Sequence, residues 1–176
     1  MNDLVSFRRK VITGDVGGPH LLVLGGVHGD EFESMPAIRR LMKRLQAADL
    51  RGRVSFIPVV NEAAYWRGQR TGEDGLDLAR TCPGRADGSI TERIAHAISA
   101  EIRAADFLID LHGGGVIMRF LPTVGYVLHP DPQILDTQRR MATAFNLPIV
   151  WGTTPYLDGR TLSVARDALI PSIYAE

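Results

Sequence analysis

Apolar and polar positions alternate along this chain with two different periods. Leu21 to Val27 is a continuous apolar run closing on glycines, as expected of a strand buried on both faces in a parallel sheet. From Glu33 to Ala48 the apolar residues Met35, Ile38, Leu41, Met42 and Leu45 follow helical spacing, with acidic residues leading and Arg and Lys following, the order a helix dipole prefers. Arg53 to Val60 reads as a second strand. The stretch from Asn61 to Gly88, rich in Gly, Arg and Asp, has no clear period; a loop this long in a compact domain is usually functional or disordered. Helical spacing resumes from Ser89 to Ala105 through Ile90, Ile94, Ala97, Ile98 and Ile102, and Ser89 with Glu92 makes a capping-box pattern.

Phe107 to Leu111 is then a third buried strand, ending at His112. A strand from Thr123 to Leu128, a helix from Pro132 to Phe145, a short strand near Ile149, a helix around Ser163 to Ala168 and a last strand from Ile173 to Glu176 follow. Strands alternating with helices predict an α/β fold: a mainly parallel mixed sheet flanked by helices, with right-handed connections, in one domain over residues 1–176. The chain stops on a strand with nothing after it to terminate it, the mark of a piece of a longer protein.

Charge narrows the classes of function. Twenty basic residues balance twenty acidic ones, so no net field favours nucleic acid or an anionic membrane, and specificity must come from local charge. The longest apolar runs fall far short of the ~20 residues of a membrane span, and residues 1–10 lack the apolar core of a signal peptide. The reading is a cytoplasmic protein, with a homo-oligomer left open. A single cysteine, Cys82, excludes an internal disulfide and any multi-cysteine zinc knuckle, so a metal site needs His and carboxylate ligands.

Such ligands stand where an α/β sheet collects them, at the carboxyl ends of strands. His28 and Glu31 follow the first strand in Gly25-Gly26-Val27-His28-Gly29-Asp30-Glu31, and His112 follows the third in Asp110-Leu111-His112-Gly113-Gly114-Gly115. Two imidazoles and a carboxylate are a catalytic zinc set that leaves a position for water, though ligand type alone also admits iron, cobalt or manganese. Asp110 is placed to orient an imidazole. His20, His96 and His129 lack this context and read as surface or helix histidines. A serine hydrolase is disfavoured, because no Gly-x-Ser-x-Gly elbow accompanies His112-Gly113-Gly114-Gly115. Cys82 has no evident paired base, and no Lys-Ser/Thr follows Gly25-Gly26 as a phosphate loop requires.

The segments Gly25 to Glu31, Asn61 to Arg70, Asp77 to Gly84, Asp110 to Gly114 and Pro171 to Glu176 together resemble the ordered motifs of the succinylglutamate desuccinylase and aspartoacylase family, a branch of the zinc carboxypeptidase superfamily. The resemblance implies a carboxypeptidase-like fold and one zinc ion, held by His28, Glu31 and His112, that activates water against the amide or ester bond of a small carboxylate-bearing N-acyl substrate. It implies Glu176 as the catalytic glutamate and Arg70 as the arginine that polarises the carbonyl. Arg80, Asn61 and Arg160 become substrate-binding residues, with Arg166 competing for the last match.

Two positions depart from the pattern. Ala79 stands where the family often has Asn, and Asn61 is followed by Glu62 rather than Pro. On this resemblance the family's smaller C-terminal β domain is expected to be absent from these residues. A carboxypeptidase-like peptidase and a non-catalytic metal-binding domain are the alternatives.

Overall fold

A computed structural model describes residues 5–176. The leader reading for residues 1–10 falls in part on residues 1–4, outside those described. Among the described residues, seven strands form one sheet in the order β1-β3-β2-β4-β7-β5-β6. They are β1 (Lys10–Thr13), β2 (Val16–Gly25), β3 (Arg51–Ile57), β4 (Phe107–Leu111), β5 (Thr123–Val127), β6 (Ile149–Thr153) and β7 (Ser172–Ala175). β1 runs antiparallel to β3 and β5 antiparallel to β7, while the other pairs are parallel, giving the mixed, mainly parallel sheet expected.

Five helices flank it: α1 (Ser34–Arg44), α2 (Glu62–Arg67), α3 (Ile90–Arg103), α4 (Pro132–Phe145) and α5 (Thr161–Asp167). The period of two decides which residues meet which helix. Leu22, Leu24 and Leu108 pack with Ile94, Ile98 and Ile102 of α3 and Val164 and Ala165 of α5. Val23 and Phe56 pack with Ile38 of α1, while Val124 and Ile173 pack with Ala142 of α4. Ile109 borders both of the last two clusters, so α1 and α4 share the face opposite α3 and α5.

Several elements differ from expectation. β1 is a four-residue edge strand, too short for its alternation to register. β2 begins at Val16, but its first four positions are exposed, so only its second half carries the apolar signal. α1 ends at Arg44 because Leu45 turns to extended backbone at ψ 128°, and Ala47–Asp49 form a separate 3-10 turn. The aperiodic stretch from 61 to 88 contains α2 and a 3-10 turn at Leu78–Arg80; six- and three-residue elements fall below the window in which periodicity can be read.

At the start of α3 the capping box expected of Ser89 and Glu92 is present, the Glu92 carboxylate accepting from the Ser89 amide at 2.8 Å, and the Ser89 hydroxyl also donates to Asp74. His20 and His129 are buried rather than superficial. His20 lies within hydrogen-bond distance of Ser55 Oγ and the Ala104 carbonyl, and His129 of the Arg166 carbonyl. His96 is exposed.

Candidate metal centre and substrate cavity

β2 delivers His28 through a turn that favours glycine. Gly26 has φ +61°, and a Cβ there would crowd Val59 and Met35 at 3.0 Å. Gly29 lies so close to α2 that a Cβ would come within 2.3 Å of the Ala64 and Tyr65 backbone. His28 and Glu31 are consequently pressed into the interior, both about 95% buried or more.

Glu31 stands between the two histidines. Its Oε1 lies 2.7 Å from His28 Nδ1 and its Oε2 lies 2.9 Å from His112 Nδ1. The Gly113 amide donates to Oε2 at 3.2 Å. On their far sides, His28 Nε2 lies 3.0 Å from Asp77 Oδ1 and His112 Nε2 lies 3.1 Å from Asp110 Oδ2. Asp110 is itself fully buried and bonded by the Thr161 hydroxyl at the start of α5. One donor atom each from His28, Glu31 and His112 can be chosen so that all lie within 4.8 Å of one another.

All four ring nitrogens therefore face carboxylate oxygens. A neutral imidazole carries one proton, so if Nε2 donates to Asp77 or Asp110, the Nδ1 lone pair is left pointing at Glu31. Either both rings are doubly protonated, or the two Nδ1 lone pairs and Glu31 would together serve as ligands to a single cation. The donor set, two nitrogens and a carboxylate with both rings held from behind by carboxylates, suits a divalent ion such as zinc.

The metal-free ionisation follows from the same contacts. Burial works against charge on His28, but its hydrogen bonds to the Asp77 and Glu31 carboxylates outweigh it and raise its pKa. Burial likewise opposes charge on His112, yet Asp110 and Glu31 lift its pKa well above 6.5. Burial alone would raise Glu31, whereas His112 and His28 pull it down to about 2.

Beside this cluster opens a cavity of about 260 Å³ lined by His28, Glu31, Arg70, Arg80, His112, Arg160, Tyr174 and Glu176 among others. Glu176 caps the end of β7, where its amide and carbonyl exchange hydrogen bonds with Thr123. Burial, opposed by His112 and reinforced by repulsion from Glu31 and Asp110, raises its pKa. Its Oε2 is buried without a hydrogen-bond partner among the described residues.

Arg70 reaches Glu31 Oε1 through Nη1 at 3.3 Å and grips Asp77 Oδ2 through Nε and Nη2 at 3.1 and 3.0 Å. Arg80 and Arg160 converge because their loops are docked together: the Cys82 amide donates to the Gly159 carbonyl at 3.0 Å. Gly159 has φ +81° with no room for a Cβ against the Arg80 backbone. Burial, then the Arg80 charge, lowers the Arg160 pKa.

Arg166, the rival match, lies outside the cavity lining, committed to Asp158, Asp167 and the carbonyls of Pro155 and Leu157. Asn61 is likewise absent from the cavity lining. It is fully buried away from the cavity, and its Oδ1 caps α2 by accepting from the Ala64 amide at 3.1 Å. Its Nδ2 is buried without a hydrogen-bond partner among the described residues.

Three contributors were not singled out from sequence. Asp77 holds His28, Thr161 holds Asp110, and Tyr174 forms part of the cavity wall. Tyr174 was detectable, since it shares the strand face of Glu176. The partnership of Asp77 with a histidine 49 residues away carried no local signal.

Two imidazoles and a carboxylate gathered at the carboxyl edge of an α/β sheet form a donor set able to hold a divalent cation. Comparison with known proteins makes it specific: residues 17–171 match the succinylglutamate desuccinylase/aspartoacylase catalytic domain, and the chain belongs to that family. It is 40% identical over 133 residues to an N-alpha-acetyl-L-2,4-diaminobutyric acid deacetylase of Halomonas elongata, a match covering 74% of this chain and 39% of that protein.

Among solved structures, a succinylglutamate desuccinylase/aspartoacylase from Rhodobacter sphaeroides superposes with TM-score 0.89 at 30% identity, over 98% of this chain and 51% of the other. A product-bound ectoine utilization protein from Ruegeria pomeroyi superposes with TM-score 0.85 at 28% identity, over 96% of this chain and 52% of the other. The chain thus spans about half the length of these structures and 39% of the curated deacetylase. No helix among the described residues is long and apolar enough to cross a membrane.

Proposed function

We propose that the whole protein is a zinc-dependent deacylase of the cytoplasm that hydrolyses the amide bond of a small N-acyl amino acid bearing a free carboxylate. The observation that carries this reading is the placement of Glu31 between two Nδ1 atoms whose rings are each backed by a carboxylate, opening on a cavity with one unpaired glutamate oxygen and three arginines. His28, Glu31 and His112 hold the ion, which when bound supplies Lewis acidity that brings the pKa of water towards ~7 and offsets negative charge on the carbonyl oxygen.

Glu176 takes the proton of the attacking water and passes it to the amine nitrogen as the C–N bond breaks. Its raised pKa suits a group that must both accept and release a proton. Arg70 adds positive charge at the carbonyl oxygen. Arg80 and Arg160, brought together by their docked loops, hold the substrate carboxylate, a task suited to paired guanidinium donors.

The Halomonas relative makes N-acetyl-L-2,4-diaminobutyrate the first substrate to try. Full-length protein should release acetate from it, or from another N-acyl amino acid in a panel, with turnover abolished by a chelator and restored by zinc. Turnover indifferent to chelation would contradict the mechanism, and bound zinc without turnover on any member would favour a non-catalytic domain.

A further inference from the structure

Tyr174 and Glu176 lie two residues apart at the end of β7, so the alternation of the strand turns both side chains to the cavity face. On the antiparallel neighbour β5, the residue opposite Tyr174 is Gly125. The phenol ring lies directly over it: a Cβ at position 125 would come within 2.1 to 2.4 Å of Cε1, Cζ and Oη. Any other residue at 125 would displace the outer edge of the ring. The adjacent Val127 on the same strand face keeps its side chain and lines the cavity, so the gap in the β5 surface coincides with the phenol.

Arg160 enters the same cavity from the start of α5. Its Nε is buried and without a hydrogen-bond partner among the described residues. Burial and the Glu176 charge push the Tyr174 pKa up, with Arg160 opposing, so the phenol remains a neutral donor under ordinary conditions. A guanidinium with an unsatisfied buried N–H and a phenol O–H in one cavity are complementary to an anion with two acceptor oxygens.

We propose that Tyr174 is a specificity-determining residue whose hydroxyl, seated by Gly125, donates a hydrogen bond to the substrate carboxylate held by Arg160. The carboxylate as ligand rests on the deacylase reading above, but the test reads binding rather than turnover. Full-length, zinc-loaded Glu176→Gln protein is titrated calorimetrically with N-acetyl-L-2,4-diaminobutyrate and with its primary amide, which lacks the carboxylate. The acid should bind more tightly than the amide.

Adding Tyr174→Phe, which keeps the ring and removes the hydroxyl, should weaken acid binding by roughly tenfold to a hundredfold, the range of one hydrogen bond to a charged group, and leave the amide unchanged. Gly125→Ala in the same background should reproduce that selective loss at unchanged zinc content. Equal losses for acid and amide, no loss in either variant, or no preference for the acid before Tyr174 is altered would each overturn the proposal. Failure of the deacylase reading would appear separately, as absent turnover in the parent protein whatever its binding preference.

Discussion

His28 Nε2 lies 3.0 Å from Asp77 Oδ1, across 49 residues of chain, and the second oxygen of the same carboxylate holds the Arg70 guanidinium. One side chain thus fixes both a proposed ligand and the arginine beside it. Replacing Asp77 with Ala frees both, and metal affinity should fall by about 10- to 100-fold, the usual effect of losing a partner that orients a ligating histidine. A competitive chelator titration reads this directly; unchanged affinity would mean that Asp77 does not orient His28.

Glu176→Gln keeps the size of the side chain but cannot take a proton. Turnover should drop by roughly 10²- to 10⁴-fold, with zinc content equal to that of the parent by elemental analysis. Near-native turnover would remove Glu176 from the proton-transfer role.

Gly29 is held against the backbone of α2, which cannot yield as a flexible side chain could: a Cβ would lie 2.1 Å from Ala64 C and 2.3 Å from Tyr65 N. Gly29→Ala should cost about 1–3 kcal/mol of stability through overpacking, seen as a lower denaturant midpoint, and should weaken metal binding because His28 is the adjoining residue. A variant as stable as the parent would mean that α2 can shift without consequence.

Cys82 is buried in the cluster between the sheet and α3. Burial, reinforced by the Asp110 charge, pushes its thiol from 9.0 up to about 12. Because the folded pKa is the higher one, this stabilisation is complete below the unfolded value and is lost as pH rises from about 9 towards about 12. Iodoacetamide at pH 8 should alkylate the native protein far more slowly than the unfolded chain. Equal rates would contradict the burial.

Long elements with consistent period were legible before any coordinates. β4 and α4 fall on the residues where Phe107 to Leu111 and Pro132 to Phe145 placed them. Parallel strands buried on both faces leave continuous apolar runs, and fourteen-residue amphipathic helices give several turns of signal. The missed elements are the short ones, β1 and α2, and the exposed first half of β2.

At the site, His28, Glu31 and His112 were conspicuous because each stands just beyond a buried strand. Asn61 caps α2 with its Oδ1, a placement that a motif position alone does not reveal. Asp77 depends on tertiary pairing with His28, and although Tyr174 shares the strand face of Glu176, its seat over Gly125 depends on the pairing of β5 with β7.

The most direct measurement is anomalous X-ray scattering at the zinc edge from crystals of the full-length protein grown with zinc. One peak per chain is expected, within about 2.0–2.2 Å of His28 Nδ1, His112 Nδ1 and a Glu31 oxygen. A peak elsewhere, or none between these side chains at full zinc occupancy in solution, would contradict the assignment of His28, Glu31 and His112 as the metal centre.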